Sequence, residues 1–269
     1  MTTDSDAVCW VDREGLRLCS LSLGPFRRTS PTAAPVLMMH GWVTGNMATW
    51  YPSYALALAR DRQVVLFDQR GHGESHLGDV ARRIGFSLDT LSGDLDAVLE
   101  THRLGQTPVD LVGYSMGAVS ALHYAISHRN RVRRLVLLDA PVPPSRYVAP
   151  YLSTIESPDD LHRFFGGLKW MTEGRRRTRS RQRASRLLFE TELLRDVAAM
   201  DFPSSAQLAS LPIPVLMVYG TRSPFRAAGT ELARQLPNAR LAWLDADHDL
   251  VFEHAPALVS MIQTFLDPP

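Results

Sequence analysis

Apolar residues alternate along the chain between short continuous runs and stretches with helical spacing. Between Leu88 and Leu99, leucines and a valine recur every three or four residues, which predicts an amphipathic helix. Short apolar runs, typical of strands that are buried on both faces of a parallel sheet, occur at Val36–Met39, Val64–Phe67, Val109–Val112, Leu135–Leu138 and Val215–Val218. This repeated alternation predicts a layered α/β fold with a mostly parallel central sheet.

Two regions depart from the alternation. Val8–Val11 and Leu16–Leu23 flank a turn-like segment and predict an antiparallel hairpin at the edge of the sheet. Residues 141–212 contain no convincing buried strand, have prolines at both ends and show amphipathic helical stretches between them. We therefore expect residues 1–140 and 213–269 to form the core, and residues 141–212 to form a helical cap inserted between two strands.

Composition and charge exclude several classes of protein. The 269 residues are 45% hydrophobic and 21% charged, which argues against a disordered or collagen-like chain. The 29 basic residues nearly cancel the 28 acidic ones, so the charge gives no reason to expect nucleic acid or a membrane as a partner. We recognise no secretory signal and no membrane span, and expect a cytoplasmic protein. Cys9 and Cys19 are expected to be reduced, although a pair facing each other in the hairpin is the alternative.

The strongest chemical motif is the segment Gly113–Gly117, which reads G-Y-S-M-G. It follows a predicted strand and precedes the helical stretch Ala118–Ser127, as the G-x-S-x-G nucleophile elbow requires. The sharp turn exposes the serine hydroxyl, and the positive end of the helix lies beneath it. Ser115 is therefore the candidate nucleophile.

Three further segments strengthen this assignment. His40–Asn46 matches an H-G-x-x-x-G-N-like loop, and Asp68–Ser75 matches a D-x-R-G-x-G-x-S loop. His248–Pro256 matches a C-terminal histidine segment. With the serine motif, they make the chain resemble the α/β-hydrolase superfamily over about residues 36–256, except in the cap. The resemblance implies an α/β-hydrolase fold in which helices flank a mostly parallel sheet.

The resemblance also implies roles for particular residues. Ser115 would be the nucleophile and His248 the general base, because a serine hydroxyl needs an imidazole to take its proton. The backbone N–H groups of Trp42 and Met116 would form the oxyanion hole. We expect His40 and His72 to support their loops without transferring protons, and His254 is the weaker candidate for the base.

One position departs from the family pattern. The family places an acid after the penultimate strand, where this chain has Ser223. Asp139, at the end of the preceding predicted strand, is the favoured substitute, since some family members place the acid there. The sequence leaves open Asp247 or Asp249, which flank the histidine, and also a Ser–His dyad without an acid.

A basic run lies within the predicted cap. The segment Arg175–Arg186 contains seven arginines in twelve residues. We interpret it as a solvated helix face, and the alternative is a docking surface for an acidic partner, such as an acidic carrier protein or a phosphate-bearing thioester substrate. Nucleic acid is not expected, because no aromatic stacking pattern accompanies the run.

The sequence thus predicts a serine hydrolase that cleaves a carboxylic ester, thioester or lactone of moderate size through an acyl-enzyme. The same residues are compatible with a thioesterase or cyclase, a lyase, a C–C hydrolase or a non-catalytic protein that binds a small ligand. No metal or organic cofactor is expected, because the chain contains no C-x-x-C or Walker pattern.

Overall fold

The computed structural model describes residues 7–25, 33–75, 84–157, 159–161, 163 and 175–267. Within these residues, one sheet contains eight strands: β1 (Ala7–Arg13), β2 (Leu16–Leu23), β3 (Val36–Met39), β4 (Val64–Phe67), β5 (Val109–Tyr114), β6 (Val132–Leu138), β7 (Val215–Gly220) and β8 (Ala239–Leu244). Their order in the sheet is β1-β2-β4-β3-β5-β6-β7-β8. Strand β2 is antiparallel to both neighbours, and the pairs from β4 to β8 are parallel.

Parallel strands need crossover connections, and helices lie in these connections. The α-helices of the described residues are α1 (Leu56–Leu58), α2 (Leu88–Thr101), α3 (Met116–Ser127), α4 (Pro144–Tyr147), α5 (Ala149–Leu152), α6 (Arg175–Phe189), α7 (Leu193–Ala198), α8 (Ser205–Ala209), α9 (Arg226–Ala233), α10 (Leu250–Glu253) and α11 (Ala255–Leu266), of which the last two follow β8. A π-helical turn at Tyr51–Ala55 precedes α1. Helix α2 begins where the hydroxyl of Ser87 accepts the backbone N–H of Thr90 at 3.2 Å.

Apolar packing covers both faces of the sheet. In β3, Leu37 and Met39 pack with α2, α3 and the helices between β6 and β7, whereas Val36 and Met38 pack with α11 and the segment around α1. Successive side chains of a strand point to opposite faces, so a strand in this position is apolar at every residue. The predicted α/β-hydrolase fold is confirmed.

The N-terminal hairpin separates the two cysteines. Strands β1 and β2 pair so that Cys9 lies opposite Ser20 and Cys19 lies opposite Trp10. Directly opposed residues share a face, so the two thiols point to opposite faces, and both are free. The alternative that they face each other is wrong. Burial raises the pKa of Cys19 to about 11, which keeps this thiol protonated.

The segment between β6 and β7 is helical in its described part. It is held to the core where Arg183 donates to Glu74 at 2.7 Å, and where the backbone N–H of Phe86 donates to Asp196 at 2.6 Å. The arginine run falls in α6, and its Arg186 pairs with Glu190. The acidic carrier protein stays a prediction. Part of the predicted cap, including the aromatic residues at positions 164, 165 and 170, lies outside the described residues.

None of the described helices is both long enough and apolar enough to cross a membrane.

Candidate active site

Ser115 occupies a strained turn between β5 and α3. Its backbone angles are φ 54° and ψ −127°, a conformation that residues with a side chain rarely adopt. The turn also needs a glycine at 117. A Cβ there would lie 2.4 Å from the carbonyl oxygens of His40 and Met39. The first turn of α3 is therefore packed directly against the end of β3, which brings Ser115 next to the His40–Asn46 loop.

His248 follows β8 and lies beside Ser115. Its Nε2 is 3.0 Å from Oγ of Ser115, and its Nδ1 is 2.7 Å from Oδ2 of Asp139. The ring of Tyr114 stacks on the imidazole with centroids 5.1 Å apart, and Phe225 packs edge-on at 4.8 Å. The Tyr114 hydroxyl donates to the carbonyl of His248 at 3.0 Å. Both the ring and the backbone of this histidine are thus fixed.

Asp139 lies at the end of β6 and is fully buried. Its Oδ1 accepts the backbone N–H of Gly220 at 3.0 Å, and its Oδ2 accepts the hydroxyl of Ser223 at 2.5 Å as well as the imidazole N–H. Ser223, which stands at the family's usual acid position, therefore binds the carboxylate of Asp139 behind His248. Of the acids that the sequence left open, it is Asp139 that lies against Nδ1.

The loop after β3 is held in a strained conformation beside Ser115. Val43 has φ 72°, which is unusual for a β-branched residue, and its N–H donates to Nε2 of His72 at 2.9 Å. The indole N–H of Trp42 donates to Oε1 of Gln69 at 3.2 Å, and the ring packs edge-on against Phe86. These contacts fix the backbone of the loop that carries Trp42, whose N–H is one of the two predicted oxyanion donors.

His40 and His72 support this loop as neutral side chains. Nδ1–H of His40 donates to the carbonyl of Gly41 at 2.7 Å, and Nε2 accepts the N–H of Gln69 at 3.0 Å. Nδ1–H of His72 likewise donates to the carbonyl of Arg70. Burial lowers the pKa of His40 to about 3 and that of His72 to about 4. Neither is close to the pKa that a general base at neutral pH requires.

The protein should lose stability in mild acid through these histidines. Because the folded pKa of His72 is about 4 and that of an unfolded histidine is about 6.5, protons bind the unfolded chain first as pH falls through this range. We expect His72 to cost about 2 kcal/mol of unfolding free energy between pH 7 and pH 5. Urea unfolding of wild type and His72→Gln at both pH values measures this contribution. Other titrating groups contribute to both proteins, so the difference between the two pH dependences is the contribution of His72. Equal pH dependence in the two proteins would contradict the prediction.

Ser115 and His248 line a cavity of about 340 Å³. Its wall is mainly apolar and includes Trp42, Met116, Val148, Leu152, Pro224 and Phe225. Tyr151 and Phe252 also line it and remain partly exposed. Such a cavity accommodates an apolar group next to the serine hydroxyl. No group of three His, Cys, Asp or Glu side chains suited to a metal was found in the described part of the chain, and the absence of a cofactor stays a prediction.

A family model for the alpha/beta hydrolase fold matches residues 34–188, which is more than half of the chain. The chain belongs to the alpha/beta hydrolase family. Ethanol acetyltransferase 1 of Kluyveromyces marxianus is 30% identical to this hydrolase-fold chain over 121 residues, 45% of the chain and 31% of that protein. Polyketide synthase ThaQ of Burkholderia thailandensis is 29% identical over 248 residues, 83% of the chain and 11% of that protein. The chain thus spans less than a third of either relative.

Solved structures of other alpha/beta hydrolases share the fold over nearly the whole chain. The enol-lactonase from Burkholderia xenovorans LB400 superposes with a TM-score of 0.73 at 22% identity, covering 96% of this chain and 99% of that one. The thioesterase domain from the curacin biosynthetic pathway superposes with a TM-score of 0.70 at 22% identity, covering 97% and 100%. At these identities the likeness concerns the fold alone. Family membership and relatives with hydrolase names support an enzyme of hydrolase type.

Proposed function

We propose that this protein is a serine hydrolase that cleaves a carboxylic ester, thioester or lactone through an acyl-enzyme on Ser115. The observation that carries the proposal is the chain of contacts from Ser115 Oγ through His248 to Asp139, at 3.0 and 2.7 Å, which opens into an apolar cavity. A nucleophile, a base and a group that orients the base are the parts that this chemistry needs.

The reaction follows from this arrangement. Ser115 Oγ bonds to the substrate carbonyl carbon while its proton moves to Nε2 of His248. The tetrahedral intermediate collapses, the bond from carbon to the leaving oxygen or sulfur breaks, and His248 returns the proton to the leaving group. Water then attacks the acyl-enzyme, His248 takes one proton from it, and the released serine regains that proton. Asp139 holds the ring in the tautomer with its proton on Nδ1 and stabilises the imidazolium.

The backbone N–H groups of Trp42 and Met116 would bind the oxyanion. Met116 is the first residue of α3, where N–H groups have no partner within the helix. Trp42 lies in the loop that His72 and Gln69 fix, so its N–H would need little rearrangement during the reaction. Each such donor is worth on the order of 10²–10³ in rate.

The cavity supports a substrate with an apolar part. The wall beside Ser115 is mainly apolar, and several relatives carry names of enzymes that act on esters, lactones or thioesters. We propose a carboxylic acid derivative whose acyl or alcohol part fills this cavity. Thioester release with cyclisation uses the same acyl-enzyme and differs only in the nucleophile that ends the reaction.

Covalent labelling tests the proposal. A fluorophosphonate probe should add one phosphonyl group to the wild type, detected by intact mass, and peptide mapping should place it on Ser115. Ser115→Ala should not react. Ser120→Ala is the matched control, because this buried serine lies in the next turn of α3 and donates to the carbonyl of Met116. Labelling that persists in Ser115→Ala, or a folded wild type that hydrolyses no ester or thioester and takes up no probe, would refute the proposal.

A further inference from the structure

We propose that Ser223 is a positioning residue for this site: its hydroxyl orients the carboxylate of Asp139 and limits the negative charge that the carboxylate presents to His248. The inference rests on the proposed function. Ser223 stands where the family pattern has the acid, and its hydroxyl lies against Asp139, the acid that replaces it.

The hydrogen bonds fix the direction of the Ser223 hydroxyl. Its Oγ accepts the backbone N–H of Phe225 at 3.0 Å and lies 2.5 Å from Oδ2 of Asp139. An ionised carboxylate can only accept, so the hydroxyl hydrogen points to Asp139. Ser223 is 6% exposed, so water has little access to compete for this bond. The serine is therefore a dedicated donor to the carboxylate.

The turn after β7 holds both oxygens of the carboxylate. Oδ1 accepts the N–H of Gly220, and Oδ2 accepts the hydroxyl of Ser223. The turn is itself closed by the N–H of Ser223, which donates to the carbonyl of Gly220 at 3.2 Å. Asp139 follows β6 and has φ 48°, so its backbone is strained. The donors from the turn after β7 fix its side chain.

Two donors share one oxygen of Asp139. The hydroxyl of Ser223 and Nδ1–H of His248 both bind Oδ2. A hydrogen bond to a carboxylate is stronger when no cation lies beside it, so the serine stabilises the state with a neutral imidazole more than the ion pair. Without this hydroxyl, more of the carboxylate charge would act on the imidazole and would favour its charged form over the neutral form that acts as the base.

Serine at this position also avoids a repulsion. A second carboxylate at 223 would lie within hydrogen-bond distance of Asp139, and two carboxylates at that distance cannot both ionise readily. Serine provides a donor with no charge. Among the described residues, the titratable groups beside His248 also include Tyr114, which stacks on the ring, and Asp247 and Asp249, which flank it in the chain and line the same cavity. A change at 223 replaces none of them.

The test compares Ser223→Ala with Ser223→Thr, which keeps the hydroxyl. The readout is the rate of fluorophosphonate labelling of Ser115 and kcat/KM for a p-nitrophenyl ester between pH 5 and pH 9. In Ser223→Ala we expect both rates at neutral pH to fall about 10-fold, through the loss of a hydrogen bond to a charged group. We also expect the acidic limb of the pH profile to move to higher pH. Ser223→Thr should keep most of the wild-type rates and a pH profile close to that of the wild type.

Thr221→Ala is the matched control, since Thr221 is exposed in the same turn and should leave rate and profile unchanged. A purely structural role for Ser223 would lower the unfolding temperature of the alanine variant without moving the acidic limb, and that result would overturn the inference. Failure of the proposed function looks different: wild type itself would not be labelled at any pH, and the positioning role would fall with it.

Discussion

Replacing Asp139 by Asn is expected to lower kcat for ester hydrolysis about 10⁴-fold, as loss of the charge behind a catalytic histidine does elsewhere. Asn has nearly the same shape, but it offers His248 a neutral amide in place of a carboxylate. The imidazole is then free to adopt the tautomer with its proton on Nε2, which cannot take the proton from Ser115. Steady-state turnover of a p-nitrophenyl ester measures the loss, and the unfolding temperature shows whether the variant is folded.

The neighbouring acids provide the controls for this variant. Asp247→Asn and Asp249→Asn change residues next to His248 in the chain, and we expect kcat to stay within a few-fold of wild type because Asp139 already occupies Nδ1. Adding Ser223→Asp to Asp139→Asn moves the carboxylate to the turn after β7, where the family pattern has the acid, and should recover a measurable part of the lost kcat. If Asp139→Asn were no worse than the two controls, Asp139 would not be the acid.

The sequence was sufficient to predict the fold because each strand carries its own local signal. Strands β3 and β4 begin and end where the apolar runs do, at Val36–Met39 and Val64–Phe67. Strands β5, β6 and β7 extend beyond their runs, as β6 does to Val132. The nucleophile turn was equally local, since its glycines and Ser115 are adjacent in the chain.

The pairing of Asp139 with His248 could not be derived in the same way. The two residues are 109 positions apart, and their contact depends on a positive φ at Asp139 and on donors from the turn after β7. Gln69 was missed for a similar reason. It stands at a variable position of its motif, and only the folded chain shows that it binds both the indole of Trp42 and the carbonyl of His40.

Three of the five non-glycine residues with positive φ in the described part of the chain lie at the site. Val43, Ser115 and Asp139 all have positive φ without being glycine, and each costs of order 1–3 kcal/mol. Each also has a specific buried contact: Val43 with His72, Ser115 with the packing of α3 on β3, and Asp139 with the turn after β7. Local sequence preference would not choose these conformations, so the surrounding structure has to maintain them. This is why a residue such as His72, which we assign no proton transfer, still affects the site.

The largest loss of stability is expected from Asp94→Asn, which breaks a buried ion pair behind the site. Asp94 lies on α2, and its carboxylate accepts Nε and Nη2 of Arg70 at 2.6 and 2.7 Å and Nε of Arg13 at 3.1 Å. The side chains of Arg70 and Asp94 are each 2% exposed. The substitution keeps the shape but leaves the Arg70 guanidinium buried without its main counter-charge, so we expect a loss of about 3–5 kcal/mol in unfolding free energy.

Urea unfolding at neutral pH measures this loss, with Asp89→Asn as the matched control on the same helix. The Asp89 side chain is 92% exposed and should cost less than about 1 kcal/mol. The loss of the ion pair in Asp94→Asn should also affect the active site, because the carbonyl of Arg70 accepts Nδ1–H of His72 and Nε2 of His72 accepts the N–H of Val43. A loss below about 1 kcal/mol in Asp94→Asn would mean that Glu14 and the carbonyl of Gly85, which also bind Arg70, suffice to hold its charge. In that case Asp94 would not be what anchors the loop behind the oxyanion position.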